Sequence, residues 1–278
     1  MKNDLEWRLI NDGARSGACN MATDHAILNA CNEGKAPATL RLYGWSRPSI
    51  TVGYSQDWRL CVDLDRCRKM EVEVVQRPTG GRAMVHQNEI SYSVIAPIPH
   101  SQFPSNLRGA FQEISSGLIH SLQLMGLEHA QSADGLQELQ RTGTRNKSSS
   151  FRSPACFASI NHFEISVKAR KLIGGAQRRF KQAFLQQGSI LIDHDALFSN
   201  SFFCFSSDEE RDVNLKILQD KSITLQEAMD KTMSYEEALP YFIAGFKNKF
   251  PGNWEERALT PYEQSLAECR MNEPDWIA

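Results

Sequence analysis

The sequence predicts an α+β protein with a sheet-rich core to about residue 200 and a helical tail behind it. Three observations carry this. Short runs of alternating or β-branched apolar residues recur through the first two-thirds of the 278-residue chain. Beyond about Asp208 the apolar spacing becomes helical. Apolar residues make up 41% and charged residues 23%, an ordinary balance that supports one substantial core.

Taken in order, Glu6-Trp7-Arg8-Leu9-Ile10 reads as a short strand, followed by a loop carrying Gly13 and Gly17. A helix is expected from about Met21 to Asn32, where Met21, Ala22, Ala26, Ile27, Ala30 and Cys31 share one stripe, and Gly34 suits its C-terminal end. Residues 39–43, 49–53 and 71–75 are strand-like, with Pro48 punctuating the first gap. Residues 61–70 suit a short charged helix between the second and third of these. Residues 82–86 and 89–95, joined at Gln87-Asn88, read as a hairpin. The spacing of Leu107, Phe111, Ile114, Leu118, Leu122 and Met125 predicts a helix over 105–126. Residues 131–154 are polar, without period, and read as a long surface loop. Strand-like runs return at 155–160, 163–167, 171–173 and 184–192. Ser234 with Glu237 and Thr260 with Glu263 are capping-box spacings that open helices in the tail. The expected organisation is a domain over 1–205 and a helical extension over 206–278 packing on it.

Several classes are excluded or set aside. No apolar run approaches the 18 residues of a membrane span, so no membrane association is expected. The opening residues lack the apolar centre of a signal peptide, which makes the cytoplasm the expected compartment. Seven cysteines with no C-x-x-C pair argue against a disulfide framework or a zinc site, so no metal is expected. Net charge is only −2 but unevenly placed: residues 141–181 hold ten basic residues and one acidic, Glu164. Such a surface attracts an acidic partner over about 8–10 Å. Without aromatic interleaving or a binding motif, nucleic acid is not the expected partner.

Three segments carry chemistry. Arg77-Pro78-Thr79-Gly80-Gly81-Arg82-Ala83-Met84-Val85-His86 places paired glycines between strands, where backbone can approach a ligand or adopt positive φ, although a plain hairpin turn has the same look. Ser153-Pro154-Ala155-Cys156-Phe157 sets a thiol at a loop–strand boundary, beside basic residues that can activate it. Arg170-Lys171-Leu172-Ile173-Gly174-Gly175-Ala176-Gln177-Arg178 places Lys171 before a small-residue turn, and Gln187-Gly188-Ser189 follows.

Together, in this order and at this separation, the three segments resemble the lipoate–protein ligase and octanoyltransferase superfamily, which shares its catalytic domain with biotin–protein ligases. The match runs from near Asn20-Met21-Ala22 through Ile192. It implies a mixed or antiparallel sheet core with flanking helices. It also implies the branch that uses a cysteine in Ser-Pro-x-Cys-Phe, here Cys156, with Lys171 fifteen residues on. Gln87 stands where that family commonly has Asp, Gly175 where Ser is usual, and Gln187 where His is common.

The implied reaction moves octanoyl from octanoyl-acyl carrier protein to a lysine of a lipoyl domain or glycine cleavage H-type protein, in lipoate biosynthesis. Cys156 is then the nucleophile and Lys171 the charge that favours its thiolate. Arg77, Gly80, Gly81, Arg82, His86, Gly174, Gly175 and Ala176 are expected to bind substrate, the backbone N–H groups near the glycines holding the tetrahedral oxyanion. His86 serves equally as a satisfied structural histidine. No cofactor and no ATP are expected, and the chain is expected to be a monomer. The alternatives are an ATP-dependent lipoate or octanoate ligase, an amidotransferase between carriers, a non-enzymatic carrier-binding relative, and a Cys156–His162 hydrolase.

Overall fold

The computed structural model describes residues 5–132, 153 and 164–273. Cys156, His162, the predicted strand at 155–160 and part of the basic stretch lie outside them. In chain order the elements are β1 (Glu6–Arg15), α1 (Gly17–Asn32), β2 (Ala38–Trp45), β3 (Ser49–Val52), α2 (Leu64–Lys69), β4 (Glu73–Gln76), β5 (Met84–His86) and β6 (Glu89–Pro97). There follow α3 (Leu107–Leu124), β7 (Gln131–Ser132), β8 (Ile165–Val167), β9 (Arg170–Arg179) and β10 (Ala183–Leu191). The C-terminal part holds α4 (Ala196–Asn200), α5 (Asp208–Lys221), α6 (Leu225–Met229), α7 (Tyr235–Lys249), β11 (Asn253–Glu256) and α8 (Pro261–Met271).

Eight strands form a mixed sheet in the order β11-β1-β2-β6-β10-β9-β8-β7, and β4-β3-β5 form a second, three-stranded sheet. The α+β expectation therefore holds, with β1 parallel to both β2 and β11 and the other neighbours in the large sheet antiparallel. On one face of that sheet α3 and α7 bury Ile114, Leu118, Leu122, Phe242 and Phe246 against Leu40, Leu42, Tyr92 and Val94. Each such side chain contributes about 1.5–3 kcal/mol on burial. On the other face α1 lies between layers, packing Ile27 and Leu28 on Ile95 and Leu185, and Met21, Ala22 and Ala26 toward Val75 and Ala267. Being enclosed on several sides, α1 is buried almost all round, which is why its apolar stripe is broad. The small sheet has its own core of Ile50, Val52, Val62, Phe202, Phe203 and Leu218.

Local signals account for the helix ends. Ser16 Oγ accepts from Cys19 N at the start of α1, and Gly34 (φ +71°) follows its end. Both expected capping boxes form, Ser234 with Glu237 on α7 and Thr260 with Glu263 on α8.

Four expectations need correction. β1 does not stop at Ile10 but continues to Arg15, absorbing Gly13 (φ +62°) as a register shift against β2. Residues 82–86 and 89–95 do not pair as a hairpin: β5 joins β3 in the small sheet, while β6 sits between β2 and β10 in the large one. Alternation reports which face a residue takes, not which strand it pairs with. The small-residue run after Lys171 is no turn, because Gly174, Gly175 and Ala176 lie within β9, paired to Ser189, Gly188 and Gln187 of β10. Gly175 answers to packing: a Cβ there would stand 2.9 Å from Tyr92 Oη. The segment after residue 205 is not wholly helical either, since β11 extends the large sheet at β1.

Candidate active site

The two sheets enclose a cavity of about 240 Å³. Its wall combines Met21 of α1, Tyr43 of β2, Thr51 of β3 and Met84 of β5 with Gly174 to Ala176 of β9 and Gln187 to Ser189 of β10. Arg77, Gly81, Arg82 and His86 also line it, as does Glu164. Of the residues expected to bind substrate, only Gly80 stands beside the cavity without lining it.

Arg77 sits where β4 ends and organises the loop that follows. Its Nη1 donates to Thr51 O at 3.1 Å, and its Nη2 donates to Gly80 O at 2.7 Å and Arg82 O at 2.8 Å. Gly81 takes φ +102°, a conformation that favours glycine, and its carbonyl lies where a Cβ on Gly53 would come within 2.1 Å. The loop is thus fixed from below by β3 and from within by a guanidinium. Arg82 reaches the other way, donating from Nη1 to Ser153 O at 2.9 Å.

His86 is held at both ring nitrogens. Nε2 lies 2.8 Å from Thr51 Oγ1, Nδ1 lies 2.9 Å from Glu89 Oε1, and the ring stacks on Trp45 at 4.0 Å. Ser91 Oγ also donates to Glu89, and Trp45 Nε1 donates to Ser91 Oγ at 3.0 Å. Burial alone would raise the Glu89 carboxyl, but His86 and the Ser91 and Ser189 hydroxyls overcome it and leave the group below its ordinary range. His86 is therefore both a wall of the cavity and a member of a buried polar chain.

Lys171 is fully buried in β9, and its Nζ donates to Glu164 Oε1 at 2.6 Å, with Glu164 itself only 3% exposed. Glu164 lines the cavity, so it places the lysine's charge just behind the wall. Across the cavity, Thr79 Oγ1 donates to Gln187 Oε1 at 2.9 Å, and Gln187 Nε2 donates to Asp24 Oδ2 at 3.0 Å. Asp24 also accepts from Arg41 Nη1 at 2.8 Å and from the Tyr43 and Ser93 hydroxyls. Burial raises the Asp24 carboxyl despite the Arg41 charge beside it. This network ties the glycine loop to α1 through Gln187, one of the positions that depart from the resembled pattern.

Glu164, Thr51, Asp24 and Arg41 were not singled out by the sequence. Glu164 had one available signal, as the sole acidic residue in the basic stretch 141–181. Asp24 and Arg41 had none, because a buried ion pair between helix and strand leaves no spacing to read. Among the described residues no group of His, Cys, Asp and Glu is arranged to hold a metal ion.

The chain is similar to known proteins in sequence and in fold. Residues 16–247 match the family described as the lipoyl protein ligase A/B catalytic domain. The octanoyltransferase LipM of Anoxybacillus flavithermus is 34% identical over 276 residues, with 97% of each chain covered. That of Bacillus subtilis is 32% identical over 274 residues, again with 97% of each covered. A bi-partite lipoate protein ligase from Thermoplasma acidophilum superposes with a TM-score of 0.76 at 20% identity, covering 97% of this chain and 93% of that one. A lipoate-protein ligase A bound with ATP gives 0.73 at 21% identity, covering 96% and 95%. At such identities the solved structures speak for the fold alone. The matched family segment contains the cavity with its Arg77 loop and the β9–β10 floor, and the chain belongs to the lipoyl protein ligase A/B catalytic-domain family.

Proposed function

We propose that this protein carries octanoyl as a thioester on Cys156, taking it from octanoyl-acyl carrier protein and passing it to a lysine of a lipoyl domain or glycine cleavage H-type protein. The chain is an octanoyltransferase, an acyltransferase of lipoate biosynthesis; the observation that carries this is its end-to-end likeness to octanoyltransferases at about one-third identity. The family acts on lipoyl-domain carrier proteins, and one solved neighbour is described together with its E2 lipoyl domain. In this reading the protein works without ATP, as a cytoplasmic monomer. No helix among the described residues is long and apolar enough to cross a membrane.

In the first step Cys156 gives up its proton and attacks the donor's thioester carbonyl as the thiolate; the donor's carbonyl carbon–sulfur bond breaks, and the donor leaves as a thiol after taking up the equivalent of the proton that Cys156 lost. In the second the acceptor lysine attacks the Cys156 thioester, the amide forms, the Cys156 thiol is released, and the amine gives up a proton. Ser153 and Glu164, the described residues on either side of Cys156 in sequence, both reach the cavity region through Arg82 and directly. Backbone N–H groups of the Gly80-Gly81 loop and of β9 are the oxyanion donors in this mechanism. In this mechanism the Lys171 ammonium acts beside its partner Glu164, whose carboxylate is the member of the pair that lines the cavity.

Intact-protein mass after incubation with octanoyl-acyl carrier protein, without ATP, tests the reading. One hydroxylamine-labile octanoyl group, absent from Cys156→Ala, is expected. Modification of an acceptor only when free octanoate and ATP are supplied would instead identify a ligase.

A further inference from the structure

Amide formation on the acceptor needs a proton acceptor. At pH 7 about one lysine side chain in a few thousand is neutral, and the attacking nitrogen must shed a further proton as the amide forms. A base within reach of the cavity has to take it.

Thr51 and His86 both line the cavity, and one chain of hydrogen bonds runs back from them. In the pairing of β3 with β5, His86 stands opposite Ser49, two residues before Thr51, so both side chains leave the small sheet on one face. Arg77 Nη1 donates to Thr51 Oγ1 at 3.2 Å, which turns the hydroxyl's own proton toward His86 Nε2, 2.8 Å away. On the far side of the ring, Nδ1 lies 2.9 Å from Glu89 Oε1. An ionised carboxylate only accepts, so the neutral ring carries its proton on Nδ1 and offers Nε2 as the basic nitrogen. The chain therefore runs in one direction, from Thr51 through His86 to Glu89.

The surroundings of the ring suit a cation. Glu89 is 3% exposed, and its Oε2 has no hydrogen-bond partner among the described residues. A buried carboxylate left short of donors gains most from a full positive charge beside it. Trp45 lies face to face with the imidazole, 4.0 Å away, and the face of a tryptophan attracts a cation. A histidine that only filled space would leave the carboxylate uncompensated.

We propose that Thr51 and His86 form the relay that takes the acceptor lysine's proton during amide formation, with Glu89 positioning the imidazole and stabilising its charge. This inference rests on the octanoyltransferase reading, since it assigns the proton of that reading's second step. As the lysine nitrogen bonds to the thioester carbonyl carbon, one of its protons passes to Thr51 Oγ1 while the Thr51 proton passes to His86 Nε2. The carbon–sulfur bond to Cys156 breaks with its electron pair on sulfur. The imidazolium then gives up a proton equivalent to the one that the sulfur takes up.

The test starts from the octanoyl-Cys156 thioester, formed on each protein and mixed with either a saturating glycine cleavage H-type acceptor or hydroxylamine. Hydroxylamine is neutral at pH 7 and attacks thioesters without a base, so the ratio of the two single-turnover rate constants isolates the relay. Neither constant depends on how much of the enzyme is folded. Thr51→Val, which keeps the shape and removes the hydroxyl, is expected to lower the ratio by about 10²-fold. Glu89→Gln should lower it by about tenfold, and Thr51→Ser should stay within about threefold of wild type. Loading from octanoyl-acyl carrier protein moves no amine proton and should change by less than about threefold in all three variants. An unchanged ratio in Thr51→Val overturns the proposal, as does a loading step or a hydroxylamine rate impaired as much as the transfer. So does a Thr51→Ser protein as impaired as Thr51→Val. A wild-type protein on which no thioester forms would sink the transferase reading, and this inference with it.

Discussion

Lys171 Nζ stands 2.6 Å from Glu164 Oε1, and the lysine is held at its other end too, where its carbonyl accepts from Ile223 N at 2.9 Å. The side chain is fixed by a residue of the cavity wall and the backbone by the C-terminal part of the chain. An ion pair clamped in this way leaves neither buried charge without its partner.

Lys171→Met is expected to lower octanoyl transfer by about 10²-fold or more. It should also destabilise the protein by about 3–5 kcal/mol, because a buried carboxylate loses its partner. Adding Glu164→Gln should recover much of the stability and none of the activity. Urea denaturation and the transfer assay on the single and double variants separate the two roles. A double variant as unstable as Lys171→Met would show that the charge imbalance is not the cause.

The glycines of the covering loop are not equivalent. A Cβ on Gly53 would lie 2.1 Å from Gly81 O, whereas one on Gly80 meets nothing within 4 Å. Gly53→Ala must therefore push the loop by about 1 Å, a displacement that costs roughly 10²-fold in rate when it misplaces a catalytic group. Gly80→Ala should stay within about threefold of wild type by the same estimate. Steady-state rates beside thermal melts decide this, and equal losses in both variants would count against it.

The contrast shows what the sequence could convey. Gly80-Gly81 marked the loop, and the order of the three segments marked the family, because both are local or repeat at fixed spacing. That Gly53, a residue outside every motif, sets the loop's height depends on two backbones meeting, which no spacing encodes. The same limit explains the strands around the site. The alternation in 82–86 and 89–95 located both strands, yet their partners lie in different sheets, and Gly174-Gly175 suggested a turn although the demand at Gly175 comes from Tyr92 beneath it. The capping boxes were fully legible, being contained within four residues each. Lys171 could be named from its motif, but its partner Glu164 required the fold.

The last helix is joined to the first strand by a bidentate pair. Arg8 Nη1 and Nη2 donate to Glu263 Oε2 and Oε1 at 2.7 and 2.6 Å, both side chains being buried. Glu263 is also the third residue of the α8 capping box, so one carboxylate serves two attachments. Arg8→Met should cost about 3–5 kcal/mol in a urea unfolding experiment, since it strands that carboxylate. A loss below about 1 kcal/mol would show that α8 is anchored by its apolar contacts alone.

Stability should also depend on pH through His25. In the unfolded chain its imidazole binds a proton below about 6.5. In the folded protein burial and the Arg270 and Arg178 charges delay this to about 4. Between those values the unfolded state holds more protons, so stability rises with pH across the window and the full penalty is present below about 4. Because His25 is only partly buried, the discounted effect is about 2 kcal/mol. His25→Gln should shrink the stability difference between pH 7 and pH 4.5 by that amount, without abolishing it, since burial also lowers His194. Urea titrations of both proteins at the two pH values give the answer. An undiminished difference in the variant would mean that neither burial nor the Arg270 and Arg178 charges hold the imidazole down in the folded protein.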